Sequence, residues 1–145
     1  MKTIYLAMAL TDTPDWWRIN FYRCLCAELE SLDGVQVLKF IGLDPNADPT
    51  EVHDFDINLA ESADLMVALT RIPSFGVGQE IEARGRLGKP TLLMNPRGKY
   101  LSNMPRGVKG ALLVEYETSK QDGARQVRLI SVAVARYLEK QKAAP

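Results

Sequence analysis

Arg71-Ile72-Pro73-Ser74-Phe75-Gly76-Val77-Gly78-Gln79-Glu80 lies between an unbroken apolar run, Leu65-Met66-Val67-Ala68-Leu69, and a segment in which Ile81, Ala83 and Leu87 recur until Gly88-Lys89-Pro90. A five-residue apolar run has strand length, and the spacing after it is that of an amphipathic helix. The quoted stretch is therefore a loop that leaves the carboxyl end of a strand and enters a helix, with a carboxylate, Glu80, near the helix start. In parallel α/β sheets that edge forms the ligand crevice, because helix amino termini direct unpaired N–H groups into it. Gly76 and Gly78 suit close backbone approach to an anion and a positive φ, and Ser74 adds a hydroxyl donor. The same residues also suit an ordinary βα connection.

Outward from this loop, strand and helix patterns alternate. Thr3 to Ala9 reads as a strand, and Asp12 or Thr13 can cap a helix with Pro14 in its first turn that runs to about Leu32. Val35 to Ile41 reads as the second strand, 42–49 as a loop and Thr50 to Ala63 as the second helix. The third helix is expected at Val77 to Leu87 and the fourth strand at Thr91 to Met94. A polar connection, Asn95 to Gly110, holds a short turn near Ser102 to Met104. Ala111 to Val114 gives the fifth strand and Gln121 to Lys142 the last helix, which buries Val127, Ile130, Val134, Tyr137 and Leu138. The expectation is one α/β domain over 1–145: doubly wound, Rossmann-like or flavodoxin-like, with about five mostly parallel strands and helices on both faces.

Composition narrows the function. A length of 145 residues suits one domain, and 18 Lys plus Arg balance 18 Asp plus Glu. Without a basic excess, polymeric nucleic acid and acidic membrane surfaces are not expected partners. No run reaches the ~20 apolar residues of a membrane span, and the apolar start reads as a strand rather than a signal peptide. A soluble, cytoplasmic protein is expected. Cys24 and Cys26 lie about 200° apart around a helix, and His53 is the single histidine. Reduced thiols, no metal site and no cofactor follow.

The second helix holds an anomaly. Val52, Phe55, Asp56, Leu59 and Ala63 share one stripe, and one member is a carboxylate. An acid there must find partners or border a cleft. Asp64, just before the third strand, reads as a structural turn residue. Glu80 stands where the helix dipole favours its ionised form by roughly 0.3–1 kcal/mol. Tyr5 lies on the strand that should open into the same crevice. Of the adjacent Trp16 and Trp17, only one can point inward.

Pro73-Ser74-Phe75-Gly76-Val77-Gly78-Gln79-Glu80 resembles the signature of the nucleoside 2-deoxyribosyltransferase family, closest to its 2'-deoxynucleoside 5'-monophosphate N-glycosidase branch. The resemblance extends to His53-Asp54-Phe55-Asp56, Ala63-Asp64, Gly88-Lys89-Pro90, Leu101-Ser102-Asn103-Met104 and Arg106-Gly107. It implies Glu80 as the nucleophile at the anomeric carbon, Asp56 holding it and the sugar, and Tyr5 assisting. It further implies Ser74, Gly76, Gly78 and Ser102 around the 5'-phosphate, with Ser102 serving a neighbouring subunit, so that a homodimer or higher homo-oligomer is expected. The hydrolases carry glycine, serine and arginine after the first strand, whereas this chain has Met8-Ala9-Leu10-Thr11, placing Met8 in the substrate loop.

The activity implied is hydrolysis of the base–sugar bond of a (deoxy)nucleoside 5'-monophosphate. A transferase passing the sugar to another base is the close alternative, and a non-catalytic nucleotide-sensing module is the alternative of another class. The partner in each case is a small nucleotide or nucleoside.

Overall fold

The computed structural model describes residues 1–39, 44, 46–118 and 123–145. Five strands, β1 (Lys2–Met8), β2 (Val35–Leu38), β3 (Leu65–Leu69), β4 (Thr91–Pro96) and β5 (Ala111–Tyr116), form one sheet in the order β2-β1-β3-β4-β5. Every pairing is parallel, with Tyr5 level with Met66, Val67 level with Leu92 and Leu93 level with Leu113. The helices are α1 (Tyr22–Glu30), α2 (Pro49–Ser62), α3 (Phe75–Arg86), the single turn α4 (Asn103–Arg106) and α5 (Gly123–Ala143). This is the doubly wound arrangement, and its connections reverse direction between β1 and β3.

Two-residue alternation along the central strands divides the core. Ile4, Leu6 and Met8 of β1, with Leu65, Val67 and Leu69 of β3, pack toward α1 and α5. Tyr5 and Ala7, with Met66 and Ala68, face α2 and α3. Tyr5 is thus fixed by strand register on the side where the two carboxylate-bearing helices lie.

Several expected boundaries shift. The first helix begins as a π turn, Trp16–Phe21, before α1. Within it Trp17 is buried and stacks on Phe21 with ring centroids 3.8 Å apart, while Trp16 remains 52% exposed. Trp16 covers Gly123, where an added Cβ would lie 2.4 Å from the indole. β4 and β5 each run two residues past the apolar segment, through Asn95-Pro96 and Glu115-Tyr116, because the parallel ladder continues across those polar positions. The second strand ends at Leu38, with Lys39 already outside it; the rest of its expected reach to Ile41, most of 42–45 and the helix start at 121–122 lie outside the described residues.

The buried stripes also differ from those expected. In α2, Val52 and Phe55 are exposed, whereas Ala60 is buried and Ala63 is buried just beyond the helix end; the helix is anchored through its second half. In α3, Leu87 is exposed and the buried positions are Val77, Glu80, Ile81 and Arg84. These are i, i+3, i+4 and i+7, so the stripe has helical period but two of its members are charged. Gly76 and Gly78 belong to the first turn of α3 and neither has a positive φ, contrary to expectation. Among the described residues the left-handed glycines are Gly34, Gly88, Gly98 and Gly110.

Gly110 connects to β5 at φ 83°, and a Cβ there would sit 2.7 Å from the Lys89 carbonyl oxygen; Gly34, at φ 71°, has open space around it. Gly34→Ala is expected to cost about 1 kcal/mol, the left-handed penalty alone. Gly110→Ala should cost roughly 1–3 kcal/mol more. Urea titration checks this ordering, and equal midpoints for the two variants would contradict it.

Candidate active site

Glu80 is 7% exposed and its Oε1 accepts a 2.8 Å hydrogen bond from the Tyr5 hydroxyl, across 75 residues of sequence. Its other oxygen, Oε2, is buried and has no hydrogen-bond partner. Asp56, half-buried on α2, completes the group: its charge acts on both Glu80 and Tyr5. The three catalytic candidates come together from β1, α2 and α3 on one face of the sheet, next to the β1/β3 reversal.

The electrostatics correct one expectation. Burial pushes the Glu80 carboxyl from its ordinary 4.5 up to about 7, the Tyr5 hydrogen bond pulls it partly back, and the Asp56 charge pushes it up again. The helix dipole, worth roughly 0.3–1 kcal/mol, is outweighed by desolvation. Asp56 is also raised by burial, with His53 opposing. Tyr5 is raised far above the ordinary phenol value by burial and by Glu80, so it remains a hydrogen-bond donor. Near neutral pH Glu80 exchanges between acid and carboxylate.

The candidate binding residues divide differently. Ser74 caps α3, its Oγ accepting from Val77 N at 3.3 Å, and Ser102 caps α4, its Oγ accepting from Met104 N at 3.4 Å. Each hydroxyl proton is left to donate elsewhere. Ser74, Gly78 and Ser102 line an open groove of ≈ 1250 Å³ between α2, α3 and the 99–108 segment, and Tyr5, Asp56 and Glu80 do not border it. Gly76 is exposed, with only Ser74 Oγ near its absent Cβ, at 3.7 Å. Met8 is buried in the cluster facing α1 and α5, so its side chain is on the other side of the sheet from Tyr5. Asp64 is structural as expected: its Oδ2 accepts from Thr3 N at 2.8 Å and Thr3 Oγ1 at 3.0 Å, closing the turn before β3.

Two residues escaped the sequence reading. Arg71, two residues past the end of β3, lies over the Trp17 ring at 4.9 Å and donates from Nη1 to Gln126 Oε1 at 3.3 Å. Among the described residues no carboxylate forms an ion pair with it. Its sequence signal was a cation directly after the strand that opens the ligand edge. Arg84 was the other, and its signal was the 77/80/81/84 stripe. Cys24 is exposed and Cys26 buried, as their spacing requires. Among the described residues no helix is long and apolar enough to cross a membrane.

A carboxyl raised by folding gives stability that is complete below its ordinary value and is lost as pH rises through about 7. Glu80→Gln removes that loss. Between pH 4 and pH 8 the variant should gain roughly 3 kcal/mol on the wild type, at about 1.4 kcal/mol per unit. Tyr5→Phe, which deletes the interaction lowering the Glu80 value, should move the Glu80 titration above 7. Denaturant unfolding across pH checks the first expectation and carboxyl NMR the second; parallel stability curves for wild type and Glu80→Gln would contradict the buried titration.

The chain is 45% identical to 5-hydroxymethyl-dUMP N-hydrolase of Rattus norvegicus over 58 residues, which are 39% of this chain and 36% of that protein. It is 44% identical over 62 residues, 41% of this chain, to a Thermofilum pendens protein that carries, provisionally, the name 2'-deoxynucleoside 5'-phosphate N-hydrolase 1; the match spans 43% of that protein. The matched stretches therefore cover less than half of either curated relative. In fold, the chain superposes on the Clostridium botulinum CMP N-glycosidase BcmB with a TM-score of 0.66 at 18% identity, over 94% of this chain and 99% of that one. No protein-family model matches the chain. The names of these relatives agree with the resemblance carried by residues 73–80.

Proposed function

We propose that this protein is an N-glycosidase that hydrolyses the base–sugar bond of a (deoxy)nucleoside 5'-monophosphate, with Glu80 as nucleophile. The observation that carries the reading is the Glu80 carboxylate itself. One oxygen is fixed by Tyr5 and the other is buried without a partner, beside a second carboxylate at the ligand edge of the sheet. The names of the two curated relatives support the substrate class.

Glycosidic cleavage develops positive charge at the anomeric carbon. Oε2 of ionised Glu80 attacks that carbon as the C–N bond breaks, its electron pair leaving with the base, which takes a proton. The glycosyl ester is opened by water, which returns the carboxylate and releases the sugar phosphate. Tyr5 holds Oε1, so Glu80 keeps one rotamer through both steps. Asp56 orients the sugar hydroxyls, and its negative charge helps to stabilise the oxocarbenium-like state.

Phosphate binding falls to Ser74, to the open backbone of Gly76 and Gly78, and to Ser102 of a second subunit. Within one chain Ser102 faces the groove rather than the carboxylates. That groove is rimmed by exposed Phe75, Tyr100 and Met104, apolar surface suited to a second copy of the chain. A homodimer would carry Ser102 of the partner subunit toward the site.

The test is chromatographic detection of free base from a panel of ribo- and deoxyribonucleosides and their 5'-monophosphates. Release from monophosphates is expected, with a fall of ~100-fold or more in Glu80→Gln, the scale on which loss of one catalytic group acts. The wild-type rate should rise with pH through about 7 as Glu80 ionises. Wild-type turnover in Glu80→Gln would remove the nucleophile assignment. Release only with an added acceptor base would make the protein a transferase.

A further inference from the structure

Arg84 has no measurable exposure, and each of its N–H groups is used. Nη1 donates to Ala60 O at 2.6 Å and Ala63 O at 2.9 Å, Nη2 to Pro90 O at 2.6 Å and Asp64 O at 3.3 Å, and Nε to Thr91 Oγ1 at 3.2 Å. The guanidinium is held by four carbonyls and one hydroxyl, and no carboxylate accepts from it among the described residues. Burial lowers its pKa from 12.5 to about 10, so it is charged at neutral pH. A buried cation without an ion-pair partner costs stability unless its hydrogen bonds are complete, and here the set is complete.

The places it joins are informative. α2 and α3 each follow a strand of the parallel sheet, so they run in the same direction. Ala60 lies one turn beyond Asp56 on α2, and Arg84 lies one turn beyond Glu80 on α3. Residues four apart share a helix face, about 6 Å along the axis. The Arg84–Ala60 bond is therefore a cross-link between the two helices, one turn below the carboxylates. The bonds to Ala63 and Asp64 hold the end of α2 and the turn into β3, and those to Pro90 and Thr91 hold the start of β4.

We propose that Arg84 is a positioning residue that sets the separation and register of α2 and α3, and through them the placement of Asp56 against Glu80 in the reaction proposed above. Packing leaves part of the restraint to be supplied, since the small Ala60 is the one fully buried residue of α2, with Leu59 partly buried against the cluster shared with α3. A planar fork with five fixed donors can span α2, α3, β3 and β4 at once. Lysine, with three donors on one nitrogen, cannot reproduce that span.

The experiment compares wild type, Arg84→Lys and Thr91→Val, the last removing only the Nε acceptor. Three quantities are read: the Glu80 carboxyl titration by NMR with labelled glutamate, assigned with Glu80→Gln; kcat and KM on the monophosphate the wild type cleaves; and the thermal midpoint. In Arg84→Lys the Glu80 titration should move down toward the ordinary carboxylate range, as water enters and Asp56 drifts away. kcat should fall ~10- to 100-fold with KM within about twofold, the effect of a misplaced reacting group. Thr91→Val should move both quantities in the same direction by less. A lower thermal midpoint with unchanged Glu80 titration and unchanged kcat would overturn the proposal and leave Arg84 a structural tie. If Arg84→Lys does not fold, Thr91→Val decides by the same readouts. Absence of base release by the wild type would defeat the glycosidase reading alone, because the titration still judges Arg84.

Discussion

A carboxylate taken out of water loses several kcal/mol of hydration, and Glu80 regains only part of it through one phenol. Among the described residues the 2.8 Å bond from Tyr5 is its single hydrogen bond, and the charge of Asp56 repels it. Helix α3 therefore buries a group that destabilises the fold whenever it ionises. The rest of the domain supplies what such a site needs: a parallel sheet that fixes Tyr5 by register, two parallel helices that bring the acids together, and a closed hydrophobic layer beneath them. A buried acid of this kind, confined to the ligand edge of a regular fold, marks a candidate functional site.

The α/β architecture was legible because its signals are local and strong. Leu65 to Leu69 has the same limits in sequence pattern and in structure, and strands alternating with helices give the parallel sheet, while its order β2-β1-β3-β4-β5 comes from the structure alone. What failed was the reading of helix faces. In α2 the apolar residues Val52 and Phe55 lie outside, and in α3 the apolar Leu87 lies outside while Glu80 and Arg84 lie within. Hydrophobicity marks the buried stripe only when burial is driven by apolar transfer. Where a site or a hydrogen-bonded guanidinium occupies the face, the spacing persists and the residue type misleads.

The site was half legible for the same reason. Tyr5, Asp56 and Glu80 were selected on motif and position; in the structure Tyr5 bonds Glu80, and the Asp56 charge acts on both. Their protonation was not readable from the chain, since the dipole that favours ionised Glu80 is a local effect while the burial that opposes it is tertiary. Ser74 and Ser102 were read as ligand donors, and the structure first uses them as helix caps. One hydroxyl can do both, accepting from a backbone N–H and donating to an anion, but only the fold reveals the first duty.

The separation of the carboxylates from the groove that holds Ser74, Gly78 and Ser102 bears on how specificity could arise. Glu80 and Tyr5 sit on the sheet side of α3, and the groove lies along its other flank toward α4 and the 99–108 segment. The two are linked along α3, from Ser74 at its amino terminus to Glu80 less than two turns on. Ser74 is the cap of that terminus, and Gly76 and Gly78 leave two positions of its first turn without side chains, beside exposed Phe75. In the reaction proposed above, cleavage and recognition of the 5' end are coupled through a single rigid element, tied to α2 by the Arg84–Ala60 bond together with packing of Leu59 and Ala60. That arrangement favours precision over stability, since a hydrogen-bonded cross-link fixes a distance more narrowly than alanine packing does.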